Sequence, residues 1–116
     1  MSDEDFDFEI ELYEDLLKGK PGLVAALIPL GHAYTGKGLY EKALEVDLRL
    51  AALRPDDDIV HYNLACDYSL LKDADRCLAV LEKAVALGYN DLEHMNTDPD
   101  LAFIRKDPRY KQLLLK

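Results

Sequence analysis

Apolar side chains recur three and four positions apart along most of this chain, in stretches separated by short runs of Gly, Pro and Asp. The first stretch begins ambiguously: Phe6, Phe8, Ile10 and Leu12 alternate with polar residues, which taken alone signals a strand. The set then continues as Tyr13, Leu16 and Leu17, so that Phe6, Ile10, Tyr13 and Leu17 share one helical face, and Gly19-Lys20-Pro21-Gly22 stops it. A helix over residues 5–20 is therefore predicted, its early acids favoured by the helix dipole. A second helix follows from Leu23 to about Gly36, with Ala26, Leu27, Leu30, Ala33 and Tyr34 on its packing side. Pro29 inside it removes one backbone hydrogen bond, at about 3 kcal/mol, and predicts a kink near Ala25. Gly36-Lys37-Gly38 is expected to turn the chain into a third helix, Leu39 to Leu53, which Arg54-Pro55 ends.

Asp56, Asp57 and Asp58 offer an N-cap to a fourth helix, reaching about Leu71 and burying Val60, Leu64, Ala65, Tyr68 and Leu71. Asp73 caps a fifth, Ala74 to Leu87, with Cys77, Leu78, Leu81, Ala84 and Val85 inward and Gly88 placed for a left-handed C-cap. Beyond Tyr89 the spacing breaks, and His94 falls in a loop. Asp98-Pro99 and Asp107-Pro108 then each set an N-cap acid before a proline, predicting two short helices that carry Leu101, Ile104, Tyr110, Leu113 and Leu114.

The stretches repeat. Leu30 returns as Leu64 and Tyr34 as Tyr68, 34 residues on, while Gly31 becomes Ala65 and Ala43 becomes Cys77; Pro55 maps back onto Pro21. A fixed period of about 34 residues made of two amphipathic segments marks a helical repeat array. Small residues return as small ones because two helices cannot approach to about 8–10 Å with large side chains at their crossing. Leu30-Gly31-x-x-Tyr34, then Gly38-x-Tyr40-x-x-Ala43, then Pro55 resembles the tetratricopeptide repeat family. Leu64-Ala65-x-x-Tyr68, Cys77 and Ala84 follow the pattern more loosely, with Tyr89 where the closing proline would stand. The resemblance implies one all-α domain over 1–116, a right-handed superhelical stack of helix hairpins. In it, 5–20 is an orphan second helix, 23–57 the first repeat, 58–91 the second, and 98–116 a pair of capping helices. Asp98-Pro99-Asp100-Leu101 with Arg105-x-Asp107-Pro108-Arg109-Tyr110 is similar to the tail that closes some bacterial arrays of that family.

Composition narrows the partners. The 116 residues are 49% hydrophobic and 32% charged, with five prolines and six glycines, the balance of a folded chain. A chain this long buries roughly 65% of its unfolded surface and needs no staple. The net charge of −9 argues against nucleic acid, whose phosphates call for a basic face. Residues 1–17 hold eight acids and no base, the reverse of a signal peptide, and no apolar run approaches the ~18 residues of a membrane span. Two cysteines without metal or disulfide spacing are expected to be reduced, which suggests a cytoplasmic protein.

No catalytic constellation is found. The only serines are Ser2 and Ser69, neither in a nucleophile elbow, and no glycine run forms a phosphate loop. No cofactor is implied, and no metal site is assigned, because His32, His61 and Cys66 lack ligand spacing. The resemblance implies instead that the first helix of each repeat lines a concave, peptide-binding face. Ile28, His32 and Thr35 would lie there from the first repeat, and Ile59, Tyr62, Asn63, Cys66 and Ser69 from the second. Peptide-binding members often place an asparagine where Asn63 stands, since an amide both donates to and accepts from a peptide backbone; Asn63 tying a neighbouring helix turn is the alternative. The lysine-rich clamp that holds a chaperone's C-terminal carboxylates is absent, Ile28, Pro29 and His32 standing at its positions. The expected function is a protein–protein interaction module, an adaptor or scaffold, monomeric and binding a peptide or partner protein. The alternative is weak head-to-tail self-assembly between the acidic start and the basic end, Arg105, Lys106, Arg109, Lys111 and Lys116.

Overall fold

Aspartates cap most of the helices after Pro55, and three residues in the left-handed region, Gly38, Lys72 and Gly88, turn the chain out of helices. The computed structural model describes residues 3–115; Met1, Ser2 and Lys116 lie outside them. The fold is all-α, with no strand among the described residues. The chain forms two compact units, one ending at Pro55 and one beginning at Asp56.

The first unit holds α1 (Asp3–Gly19), α2 (Val24–Lys37) and α3 (Tyr40–Leu53), α1 packing on α2 and α2 on α3. The early alternation is resolved as helix. Phe6, Ile10 and Tyr13 are half-buried and Leu17 buried, while Phe8 and Leu12, which a strand would place beside Phe6 and Ile10, stay exposed. Acids in the first turn and Lys18 in the last match the helix dipole. The Phe6 ring lies against Gly36, where any Cβ would run into it. Gly36 therefore serves a close approach inside α2 and not the expected turn. The turn falls to Gly38, at φ +83°, whose N–H donates to the Thr35 carbonyl at 3.0 Å while the Leu39 N–H donates to Tyr34 at 2.8 Å. α2 runs unbroken through Pro29. Its Gly31 faces α3 so closely that a methyl would stand 3.1 Å from Asp47 Oδ1 and 3.5 Å from Val46 Cγ1, and Ala43 is fully buried. Two polar ties hold α1 to α2: Lys37 pairs with Asp7, and the Tyr34 hydroxyl donates to Glu14 at 2.6 Å.

The second unit holds α4 (Asp58–Leu70), α5 (Ala74–Ala86), α6 (Leu92–Thr97), a 3-10 turn (Pro99–Leu101), α7 (Ala102–Arg105) and α8 (Pro108–Leu114). Asp57, Asp73, Asp91, Asp98 and Asp107 each accept a backbone N–H as N-cap. Two features depart from the expectation. Asp91 opens a helix where a loop was expected, and Pro99 starts a 3-10 turn, with α-helix resuming only at Ala102. The core joins Tyr62, Ala65 and Cys66 of α4 and Cys77, Leu78, Leu81 and Ala84 of α5 to Met95, Leu101, Ile104, Tyr110 and Leu113 from the tail. Arg105 Nη1 locks that tail by donating to the carbonyls of Met95 (2.9 Å) and Asp98 (2.6 Å). Arg109 bridges Asp107 and Asp75, tying α8 to the first turn of α5.

The turn after α4 carries a local strain. Lys72, 34 residues after Gly38, has φ +62°, and its N–H donates to Ser69 as that of Gly38 does to Thr35. A side chain in that region costs about 1–2 kcal/mol, part of which glycine would give back through its freer unfolded chain. Lys72→Gly is therefore expected to stabilise the protein by roughly 0.5–1 kcal/mol. A urea midpoint that stays put or falls would contradict this.

Candidate peptide-binding site

The residues expected on the peptide-binding face divide sharply by exposure. On α2, Ile28 and His32 are exposed, and Thr35 is half-buried with its hydroxyl donating to the Gly31 carbonyl at 3.1 Å. On α4, Ile59 is 53% exposed and Asn63 half-buried, but Tyr62 is only 4% exposed, Cys66 6% and Ser69 0%. Tyr62, Cys66 and Ser69 are thus corrected from surface to interior positions. The reason for the first two is the tail: the 3-10 turn and α7 pack on α4, and the core they complete includes Tyr62 and Cys66.

Asp98 is the centre of that arrangement. Its Oδ1 accepts the Asp100 N–H at 2.9 Å, the N-cap bond read from the Asp-Pro pair. Its Oδ2 accepts the Tyr62 hydroxyl at 2.6 Å and the Cys66 thiol at 3.9 Å, and lies 3.2 Å from His94 Nε2. Burial, then the bond to Asp98, pushes the Tyr62 hydroxyl far above the ordinary phenol range. Burial likewise raises the Cys66 thiol, helped by the carboxylates of Asp98, Asp100 and Asp67. Cys66, Asp98 and Asp100 bring one ligand atom each within 4.8 Å of one another. A protonated thiol beside a carboxylate already bonded to a tyrosine and a backbone amide is a hydrogen-bonded cluster, ill suited to hold a cation.

Next to this cluster opens a cleft of about 400 Å³, lined by Asp58, Ile59, Tyr62, Asn63, Tyr89, Asn90, Asp91 and His94. Tyr62 and Tyr89 stack at its floor, ring centroids 4.3 Å apart and 7° from parallel, with the His94 ring 5.7 Å from Tyr62. Gly88, at φ +114°, sends Tyr89 inward: the Tyr89 N–H donates to the Ala84 carbonyl at 3.0 Å, closing α5. The cleft keeps Ile59, Tyr62 and Asn63 from the expected set, Tyr62 as part of its buried floor, and adds Asp58, Tyr89, Asn90, Asp91 and His94. His94, expected in a loop without a role, stands in α6 at the rim. Asp91, three residues before His94, was the available signal for that helix. The Asn63 side-chain amide makes no hydrogen bond among the described residues, so it is open to a ligand.

A second cleft, about 450 Å³, lies within the first unit against Leu17, Leu30, Tyr34 and Val46. Its rim mixes Lys18, Lys42 and Arg49 with Glu14 and Glu45, and Glu14 is already bonded to Tyr34, so it selects for no one ligand charge. At the basic end, Arg105 and Arg109 are committed inside the second unit, leaving Lys106 and Lys111 to carry the outward charge.

No protein-family model matches the chain. It is similar to a chloroplastic protein of Arabidopsis thaliana, being 34% identical over 87 residues, an alignment that takes in 72% of this chain and 26% of that protein. The chain thus spans about a quarter of that relative's length.

Proposed function

We propose that this chain is a protein–protein interaction module of the tetratricopeptide repeat type, an adaptor or scaffold that takes an extended segment of a partner protein at the α4 cleft. The observation that carries this is the cleft itself, with an exposed isoleucine, an open asparagine amide and a stacked tyrosine floor side by side. The amide matches a peptide backbone and Ile59 an apolar side chain. Asp58 and Asp91 on the rim, within a chain of charge −9, select a basic or apolar segment over an acidic one. The module is read as monomeric and non-catalytic. Burial pushes the Cys77 thiol up to about 12, and Cys66 is raised as well, so neither supplies a nucleophile near neutral pH. Buried, unpaired cysteines suit a reducing compartment, the cytoplasm, with a plastid the second reading in view of the relative's chloroplastic name.

Calorimetry with extended peptides carrying leucine and arginine at alternate positions tests the reading. Micromolar binding is expected, lost in Ile59→Ser/Asn63→Ala, while a peptide ending in Glu-Glu-Val-Asp should not bind. Equal affinity for the acidic peptide, or an unaffected double variant, would defeat the proposal. Tyr62 is left intact in this test because its hydroxyl is a buried core contact.

A further inference from the structure

α1 has two apolar faces, and only one is used within the first unit. Leu17, with Phe6, Ile10 and Tyr13, turns towards α2. On the opposite side Phe8, Leu12 and Leu16, four residues apart, are 71%, 44% and 47% exposed. Three large apolar side chains in line form a contiguous exposed patch, of the kind that marks an interaction surface, where scattered single residues would not. Acids border the stripe: Glu11 and Asp15 along one edge, Glu9 beside Phe8 on the other, and Glu4 and Asp5 at its N-terminal end. One base nearby, Lys18, pairs with Asp15 at 3.1 Å, both side chains well exposed, a bond of little worth in water.

Charge decides among occupants. An anionic lipid surface or a nucleic acid would meet a wall of carboxylates. A second copy presenting the same face would set two acidic helices side by side, with like charges opposed along both edges. The complement of an apolar stripe between two acidic edges is an apolar stripe between two basic ones. We infer that the outer face of α1 docks a cationic amphipathic helix of another protein, its leucine-type residues on Phe8, Leu12 and Leu16 and its lysines or arginines along the acids. The helix-on-helix mode reads anchors at three- and four-residue spacing, which this stripe supplies. The site is independent of the α4 cleft and shares no residue with it.

The test uses the full chain and a synthetic helix of roughly 18 residues, long enough to fold on contact, with leucines on one stripe and lysines beside it. Two controls are the same composition scrambled and the same stripe with glutamates for lysines. The striped lysine helix is expected to bind. Leu12→Gln/Leu16→Gln should weaken it by about tenfold or more, since that much follows from losing one buried leucine's area. Phe8→Ser, an independent change at the most exposed position, should weaken it in the same direction. Glu11→Gln/Asp15→Asn should flatten the salt dependence while leaving the apolar contact. All these positions are exposed, so circular dichroism is expected to be unchanged. Equal binding of the scrambled peptide, or full binding by the leucine double variant, overturns the proposal. So does self-association that the leucine variant abolishes, for the occupant would then be a second copy. None of these outcomes bears on the α4 cleft.

Discussion

A chain ending at Thr97 is expected not to hold its second unit folded. The removed tail carries Leu101 and Ile104, both fully buried, and Tyr110 and Leu113, nearly so. Burying such side chains contributes about 1.5–3 kcal/mol each, so four of them contribute on the order of 6–12 kcal/mol. A folded unit of about 60 residues is stable by only about 3–9 kcal/mol in total. The loss equals or exceeds the whole, and it uncovers Cys77, Leu81 and Ala84 of α5. Thermal melting followed by circular dichroism should show reduced helicity and loss of the cooperative transition of the second unit. A dye that binds exposed apolar surface should light up, and the protein should aggregate. A truncated chain that stays monomeric and melts at the original temperature would show that the tail is an appendage, and the core as described would be wrong.

Replacing Asp98 by Ala is the single substitution expected to cost most for the atoms it removes. It deletes the N-cap of the 3-10 turn, worth about 1 kcal/mol, and leaves the buried Tyr62 hydroxyl without an acceptor, a further penalty of about 1–3 kcal/mol. The sum, roughly 2–4 kcal/mol, should appear as a lower urea midpoint with a similar slope. Asp98→Asn keeps an oxygen acceptor and should fall between the two. A double-mutant cycle with Tyr62→Phe isolates the tyrosine bond, because Phe preserves the stack on Tyr89 while removing the hydroxyl. If Asp98→Ala costs the same whether residue 62 is Tyr or Phe, the 2.6 Å bond contributes nothing and the cluster has been misread. A second readout is thiol chemistry: Cys66, now shielded, should react faster with a thiol reagent in Asp98→Ala, whereas Cys77, deeper in the core, should change little.

The elements of this protein were legible in its sequence because their causes are local. Asp57, Asp73, Asp98 and Asp107 cap helices that begin one residue later, through bonds spanning two or three positions. Gly38 and Gly88 close helices because only their own φ has to be positive. The stripe Phe6, Ile10, Tyr13 and Leu17 outvoted an alternating start because a helical face needs several turns to declare itself. α6, six residues long, offers fewer than two turns and so left no period to read. Where a residue's role depends on a distant partner, the sequence was silent. Gly36 looked like a turn and is a seat for Phe6, 30 positions earlier. Tyr62 and Cys66 sit at positions that the family resemblance placed on an open binding face, and they are buried because Asp98, 36 and 32 residues on, returns with the 3-10 turn and α7 to that side. Helical periodicity records which face of an element a side chain occupies; which faces meet is settled by the packing of segments far apart in the chain. For that reason Ile59, Tyr62 and Asn63 of the cleft could be named from the sequence through the family resemblance, while Tyr89, Asp91 and His94 join them only through the folding of the chain beyond α5.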